Sequence, residues 1–152
     1  MSKPDFIRKG FHTVTPALAI RGAAKAIEFY QKAFNAVEVF RMEGKDGRIV
    51  HAEIRIGDSM VMLCDEMPEW NCLSPETLGG SAISLRLYFP DADAQVAQAV
   101  AAGATVERPL ANHPYGDRSG MVRDPFGYRW GIATQIEEVP LEEAKRRMAG
   151  LM

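Results

Sequence analysis

The sequence has few cysteines, no excess of basic residues and no long apolar run, and each shortage excludes a class of protein. Cys64 and Cys72 are the two cysteines among 152 residues. They are too few for a disulfide scaffold and lack Cys-x-x-Cys spacing, so we expect reduced thiols and a cytoplasmic protein. Eighteen basic and twenty acidic residues give a net charge of −2, which argues against a nucleic-acid partner. Without a membrane-length apolar run or a signal peptide's apolar core, we expect no membrane partner.

What the sequence does contain is a folding unit that occurs twice. The composition, 47% hydrophobic and 25% charged, is ordinary for a globular protein. In the first copy, hydrophobic periodicity predicts a strand, a helix, a second strand and a hairpin. These elements are predicted over Thr13–Ile20, Ala23–Phe34, Ala36–Met42 and, around a Gly57-Asp58 turn, residues 51–63.

The second copy repeats this order of elements. The elements are predicted over Ala82–Phe89, Ala92–Ala102, Ala104–Leu110 and, around the turn Asp124-Pro125-Phe126-Gly127, residues 116–133. Asn35 and Gly103, which both suit the left-handed position that ends a helix, occupy the same place in the two copies. A repeat of this kind is stronger evidence for a fold than any single motif.

Each predicted helix carries one apolar stripe that must pack on a sheet. In the first helix the stripe is Ala23, Ala26, Ile27, Tyr30 and Phe34. In the second helix, for which Asp91 is the predicted N-cap, the stripe is Val96, Ala99 and Val100.

These elements predict an α+β fold with two βαβββ modules in one structural domain. The first module spans residues 11–64, a linker spans 65–81, the second module spans 82–138, and a C-terminal helix lies within 139–152. Sheet edges and helices left unpaired by such modules favour a homodimer.

Two groups of motifs resemble one superfamily. Ala26-Ile27-Glu28-Phe29-Tyr30 is similar to its first-helix signature, and the segments 51–59 and 116–130 resemble its PhnB-like branch. The superfamily is the vicinal oxygen chelate, or glyoxalase/bleomycin resistance/dioxygenase, superfamily. The resemblance implies two modules curled into a half-open eight-stranded barrel, with a ligand on the concave sheet face. In this superfamily modules pair within one chain or are exchanged between two chains.

The same resemblance identifies where a metal would be bound. Metal-using members place ligands on the first and fourth strands of each module. Those positions fall here on Thr15, Met62, Ser84 and Gly131. Hydroxyls, a thioether and a glycine do not supply the imidazole or carboxylate ligands that divalent ions require. We therefore predict no metal centre and no cofactor.

The remaining concave-face residues predict a pocket with an apolar wall and a polar wall, which suits a small amphiphilic ligand. Arg55 or Arg86 could bind a carboxylate or phosphonate in a forked contact. Together with the four positions above, the predicted ligand-binding set contains His51, Glu53, Arg55, Met60, Trp70, Arg86 and Tyr88. For Trp70 the alternative is that it covers one end of the core. His12 and His113 have no predicted role.

Two functions of different classes follow. The first is a metal-free protein that binds a small molecule, as the drug-resistance members of the superfamily do. The second is a metal-independent enzyme of isomerase or lyase type, in which His51 and Glu53 form an acid/base pair. A satisfied cross-strand polar network of His51, Glu53 and Arg55 is favoured over catalysis. A metal-dependent glyoxalase or dioxygenase ranks last.

Overall fold

The structure is a computed structural model that describes residues 2–151, and the chain divides after Gly80 into two compact units. Each unit contains a four-stranded mixed sheet. The predicted α+β fold with two βαβββ repeats is confirmed. Within residues 2–151 no helix is both long enough and apolar enough to cross a membrane.

The first unit begins with an irregular segment and continues through its sheet into a short helical region. Its elements are β1 (Ala17–Ile20), α1 (Ala23–Phe34), β2 (Val37–Glu43), β3 (Ile49–Ile56), β4 (Ser59–Asp65), a 3₁₀ turn (Pro68–Trp70) and α2 (Pro75–Leu78). The strand order is β1-β4-β3-β2, with β1 parallel to β4 and the other pairs antiparallel.

The second unit repeats this order of strands. Its elements are β5 (Ser84–Tyr88), α3 (Ala92–Ala102), β6 (Thr105–Asn112), β7 (Asp117–Arg123), β8 (Arg129–Gln135) and α4 (Leu141–Ala149). The strand order is β5-β8-β7-β6, again with one parallel pair, β5 with β8.

Helix α1 packs its predicted stripe on the first sheet, and every residue of that stripe is buried. The N-terminus of the helix has Gly22 at the cap position, which offers no side chain. Asp65, at the end of β4, caps it instead: its carboxylate accepts hydrogen bonds from the backbone N–H of Gly22 (3.2 Å), Ala23 (2.8 Å) and Ile49 (2.7 Å). At the other end Asn35 is left-handed (φ 58°), as the sequence predicted.

Helix α3 corrects one prediction. Its buried residues are Ala92, Gln95 and Ala99, whereas Val100 is 44% exposed and Val96 is only half-buried. The helix is therefore turned so that two alanines and Gln95 are buried instead of the two valines, and the fully buried Trp130 of β8 supplies the volume. Apolar spacing alone could not predict this, because several adjacent alanines leave the helix rotation undetermined. The predicted N-cap is confirmed: Asp91 accepts a hydrogen bond from the Ala94 N–H at 3.0 Å.

The last hairpin is held by a buried aspartate. The Asp124 carboxylate is 3% exposed. It accepts hydrogen bonds from the backbone N–H of Phe126 (2.8 Å) and Tyr128 (3.0 Å), and from Trp130 Nε1 (2.9 Å). Asp124 therefore both closes the Asp-Pro-Phe-Gly turn and holds the indole of Trp130, which is fully buried in the second unit.

Element boundaries differ from the predictions in several places. β1 begins at Ala17 rather than Thr13, since Pro16 has no N–H to donate; only its carbonyl extends the ladder, accepting from Met62 N–H at 2.9 Å. The segment predicted as a linker contains the 3₁₀ turn and α2. β6 extends to Asn112 rather than Leu110.

Candidate functional site

The face of each sheet opposite its long helix, called here the open face, carries the predicted site residues in the first unit. Strand register pairs Met62 with Ala17 and with Glu53, and Met60 with Arg55. Paired residues point to one side of a sheet, so these side chains share the open face. The alternate residues are buried beneath α1: Leu18, Ile54, Val61 and Leu63.

A cavity of about 170 Å³ opens on this first sheet. Its wall is mostly apolar and contains three sulfur-bearing side chains and one imidazole. The lining residues are Ala17, Leu18, Ala19, Val50, His51, Met62, Leu63, Cys64 and Cys72. A cavity of about 150 Å³ holds a benzene-sized molecule. The volume therefore suits one small apolar group, with His51 available for a hydrogen bond.

His51 belongs to a charged cluster at the edge of the cavity. Its Nε2 lies 2.9 Å from the Glu53 carboxylate, which is 3% exposed. Arg8, from the segment before β1, donates two hydrogen bonds to the same carboxylate, at 2.7 and 3.2 Å. The Arg8 guanidinium also lies over the Phe11 ring, 4.5 Å from its centroid.

These contacts determine the charge of Glu53. The hydrogen bonds from Arg8, and then the contact with His51, lower the pKa of Glu53 although burial opposes them. Glu53 is therefore held as a carboxylate that is neutralised by Arg8. Such a group orients an imidazole well but is a weak proton acceptor.

The open face of the second sheet carries a different cluster, centred on Arg86. Its guanidinium donates to Asp117 Oδ2 at 3.0 Å and to Ser119 Oγ at 3.2 Å. The Tyr88 hydroxyl donates to the same Asp117 oxygen at 2.9 Å. A longer contact of 3.5 Å joins Arg86 to the Tyr115 hydroxyl. Arg86 is thus held in place, and its side chain keeps 35% exposure.

The four positions that the resemblance assigns to metal ligands are divided between the two units. Thr15 lies before β1, and its hydroxyl contacts the His12 carbonyl at 3.4 Å. Met62 lines the cavity. Ser84 begins β5. Gly131 pairs with Arg86, whose Nε lies 3.7 Å from where a Gly131 Cβ would be.

These residues do not fit a divalent metal in either unit. Two hydroxyls and a thioether are weak ligands, and a guanidinium beside Gly131 repels a cation. Within residues 2–151 no three His, Cys, Asp or Glu side chains are grouped so that they could hold a metal ion.

Trp70 lies apart from the cavity. It is 66% exposed and lines a separate depression of about 270 Å³ with residues of the β2–β3 loop, including Lys45 and Arg48. Val50 borders both features.

Several residues at these clusters were missed from the sequence. Arg8 lies in an irregular segment with no periodicity, so nothing indicated its contact with Glu53. Asp117 and Ser119 alternate along β7 as Arg86 and Tyr88 do along β5, and this alternation could have placed them on the open face. His113, which had no predicted role, stacks on Tyr115 with ring centroids 5.2 Å apart.

Comparison with known proteins agrees with this architecture. Residues 11–132 match the Glyoxalase/Bleomycin resistance protein/Dioxygenase superfamily, and the chain belongs to it. An uncharacterized protein of Mycobacterium bovis is 40% identical over 139 residues, which cover 90% of this chain and 91% of that protein. The PhnB-like branch stays a prediction.

Solved structures show the same fold. A structure from Arabidopsis thaliana has 29% identity and a TM-score of 0.66, covering 81% of this chain and 98% of that one. The fosfomycin resistance protein FosX from Mesorhizobium loti has 18% identity and a TM-score of 0.60, covering 90% of this chain and 98% of that one. At that identity the likeness concerns the fold alone.

Proposed function

We propose that the protein binds a small amphiphilic molecule without a metal, with the apolar part of the ligand in the cavity of the first unit. The observation that carries this proposal is the cavity itself: about 170 Å³, walled by apolar and sulfur-bearing side chains, with the His51 imidazole as a hydrogen-bonding group. Ligand sites typically combine an apolar wall with few oriented polar groups. The ligand is therefore a molecule with a benzene-sized apolar part and a hydrogen-bonding or anionic head.

In the second unit, taken by itself, Arg86 is a separate proposed contact for an anionic group. Its guanidinium is oriented by Asp117 and Ser119 and remains partly exposed. An oriented guanidinium binds carboxylate or phosphonate groups at low entropic cost.

A thermal-shift screen of small aromatic acids and amines tests the binding proposal. A ligand at about 100 times its Kd stabilises the protein by about 2.7 kcal/mol, so Tm should rise with ligand concentration. Ala17→Leu, which fills the cavity, should abolish the shift. Ala101→Leu makes the same change on an exposed face of α3 and should preserve it. An equal loss in both variants, or a shift unaffected by Ala17→Leu, contradicts binding in this cavity.

The absence of a metal is proposed from the donor chemistry of Thr15, Met62, Ser84 and Gly131. Elemental analysis of protein purified without added metal tests it. One tightly held Zn, Ni, Fe or Mn ion per chain would refute the proposal and revive a metal-dependent glyoxalase or dioxygenase.

A metal-independent isomerase or lyase is the second candidate, and the contact of 2.9 Å between His51 and Glu53 favours it. In that function His51 transfers a proton to or from the substrate, and Glu53 orients the His51 imidazole. Each ligand found in the screen should be incubated with the protein and examined for a product by NMR. Turnover that is lost in His51→Gln while binding remains would establish the enzyme. Turnover that survives would exclude His51 as the acid/base group.

A homodimer is proposed from the edge strand β2, which exposes four apolar side chains. Val37, Val39, Phe40 and Met42 are each about half exposed. Sedimentation equilibrium should give twice the chain mass of 16.8 kDa, and Val39→Glu should shift the population towards the monomer. A monomeric wild-type protein at micromolar concentration contradicts this proposal.

A further inference from the structure

The cavity wall contains the two cysteines of the chain side by side. Cys64 lies on the open face of β4, paired with the small residue Ala19. Cys72 follows the 3₁₀ turn. Both thiols are half-buried and free, and both line the cavity. The Cys72 thiol lies near enough to Cys64 to contribute to the raised pKa of the Cys64 thiol.

Both cysteines are held in place by backbone hydrogen bonds. β4 is an inner strand, paired on one side with β1 and on the other with β3. Cys72 forms a reciprocal pair with Met67: the Met67 N–H donates to the Cys72 carbonyl at 2.8 Å, and the Cys72 N–H donates to the Met67 carbonyl at 3.0 Å. The positions of the two cysteines are therefore built into the fold, since the backbone of each is hydrogen-bonded within the first unit.

We propose that Cys64 and Cys72 form a reversible redox pair that closes to a disulfide within the cavity wall. Oxidation replaces two S–H groups by one S–S bond and links the 3₁₀ turn to β4. It thereby changes the surface that a bound molecule would contact. The proposal depends on the two thiols alone and does not rest on the proposed function.

The oxidant is a small disulfide such as glutathione disulfide, and the exchange proceeds in two balanced steps. One protein thiolate attacks a sulfur of the oxidant, the S–S bond of the oxidant breaks, and one glutathione thiolate leaves. The second protein thiolate then attacks the protein-bound sulfur of the mixed disulfide and releases the second glutathione thiolate. The two protons from the protein thiols pass to the two departing thiolates.

The surroundings of Cys64 favour an order for these steps. Burial, then the neighbouring Cys72 thiol and then Asp65 raise the pKa of Cys64 to about 11. A protonated thiol is a poor nucleophile, so we expect the mixed disulfide to form first at Cys72. Formation of the mixed disulfide consumes the Cys72 thiol that contributes to the raised pKa of Cys64, and Cys64 then attacks within the same chain.

Titration with glutathione and glutathione disulfide, read by intact-mass spectrometry, tests the proposal. The wild-type protein should lose two hydrogen atoms and both free thiols together, retain no glutathione, and recover fully with dithiothreitol. Peptide mapping of the oxidised wild-type protein should find the Cys64–Cys72 link, a readout that needs no variant. Cys64→Ser and Cys72→Ser are matched variants, since each keeps one of the two thiols. Without a resolving thiol, Cys64→Ser should retain one glutathione on Cys72. Wild-type protein that retains glutathione, or keeps both thiols in excess oxidant, overturns the proposal.

Phenylarsine oxide measures thiol proximity without oxidation. The arsenical binds two thiols with two new As–S bonds and loses its oxygen as water. The wild-type chain should hold one arsenical through dilution and dialysis, and each single serine variant should release it. Equal retention by all three proteins would mean that the thiols react separately and would contradict the proposed pair.

Discussion

The two units have the same strand order, yet their open faces carry different side chains. The first combines an apolar, sulfur-lined cavity with a buried carboxylate, Glu53, that is neutralised by Arg8. The second carries an oriented guanidinium, Arg86, held by Asp117 and Ser119. A repeated fold therefore constrains the helix-packing side of each sheet, where apolar packing is required. It leaves the opposite side able to diverge.

The packing between helix and sheet also differs between the two units. In the first unit the helix supplies the large side chains: Tyr30 and Phe34 are fully buried, and their rings stack at 6.0 Å. In the second unit α3 supplies alanines, and the strand residue Trp130 fills the space. The aspartate that ties Trp130 to its hairpin has no counterpart in the exposed Gly57-Asp58 turn of the first unit.

The largest predicted effect concerns the two hairpin turns. Asp124→Ala removes the acceptor for three N–H groups, two of which are buried or nearly so. Each unsatisfied donor costs about 1–3 kcal/mol, so we expect a loss of about 3–5 kcal/mol in urea denaturation. Asp58→Ala, in the exposed turn, should change stability by about 0.5 kcal/mol or less. Equal losses would mean that the two turns contribute alike.

An intermediate effect should appear as a pH dependence in the first unit. Because the pKa of Glu53 is lowered in the folded state, its ion pair stabilises the protein above the unfolded pKa of about 4.3. This contribution is lost as the pH falls through the lower folded value. Arg8→Met should therefore lower Tm at pH 7, with the difference from wild type shrinking below about pH 4.

Lys9→Met is the control for Arg8→Met, because it removes a neighbouring exposed charge. Its Tm should follow that of the wild-type protein at every pH. A pH-independent difference between Arg8→Met and wild type would show that Arg8 acts by packing on Phe11 instead.

The smallest predicted effect concerns the second open face. Tyr88→Phe removes a hydroxyl that donates to Asp117 at 2.9 Å, and we expect a loss of about 1 kcal/mol. Tyr115→Phe removes a contact of 3.5 Å with Arg86 and should cost less. Urea midpoints of both variants provide the comparison. A larger loss for Tyr115→Phe would place the centre of the cluster at Tyr115 rather than Asp117.

The fold could be predicted to a large extent because it depends on local and repeated signals. Helix α1 has the predicted bounds, since its apolar stripe and Asn35 are both encoded within a few residues. The predicted rotation of α3 was wrong. In an alanine-rich helix the apolar spacing does not fix which face is buried, and the core volume is filled instead by Trp130, which is distant in sequence.

The amino-acid sequence alone determined the repeat, the positions of both hairpins and the poor metal-ligating chemistry at Thr15, Met62, Ser84 and Gly131. These are properties of residue type and short spacing. Only the tertiary structure decided that Arg8 pairs with Glu53, that Arg86 is oriented by Asp117, and that Cys64 lies against Cys72 in a cavity wall. The first two contacts join residues far apart along the chain, and the third depends on how a turn packs on a strand, so neither periodicity nor spacing encodes them.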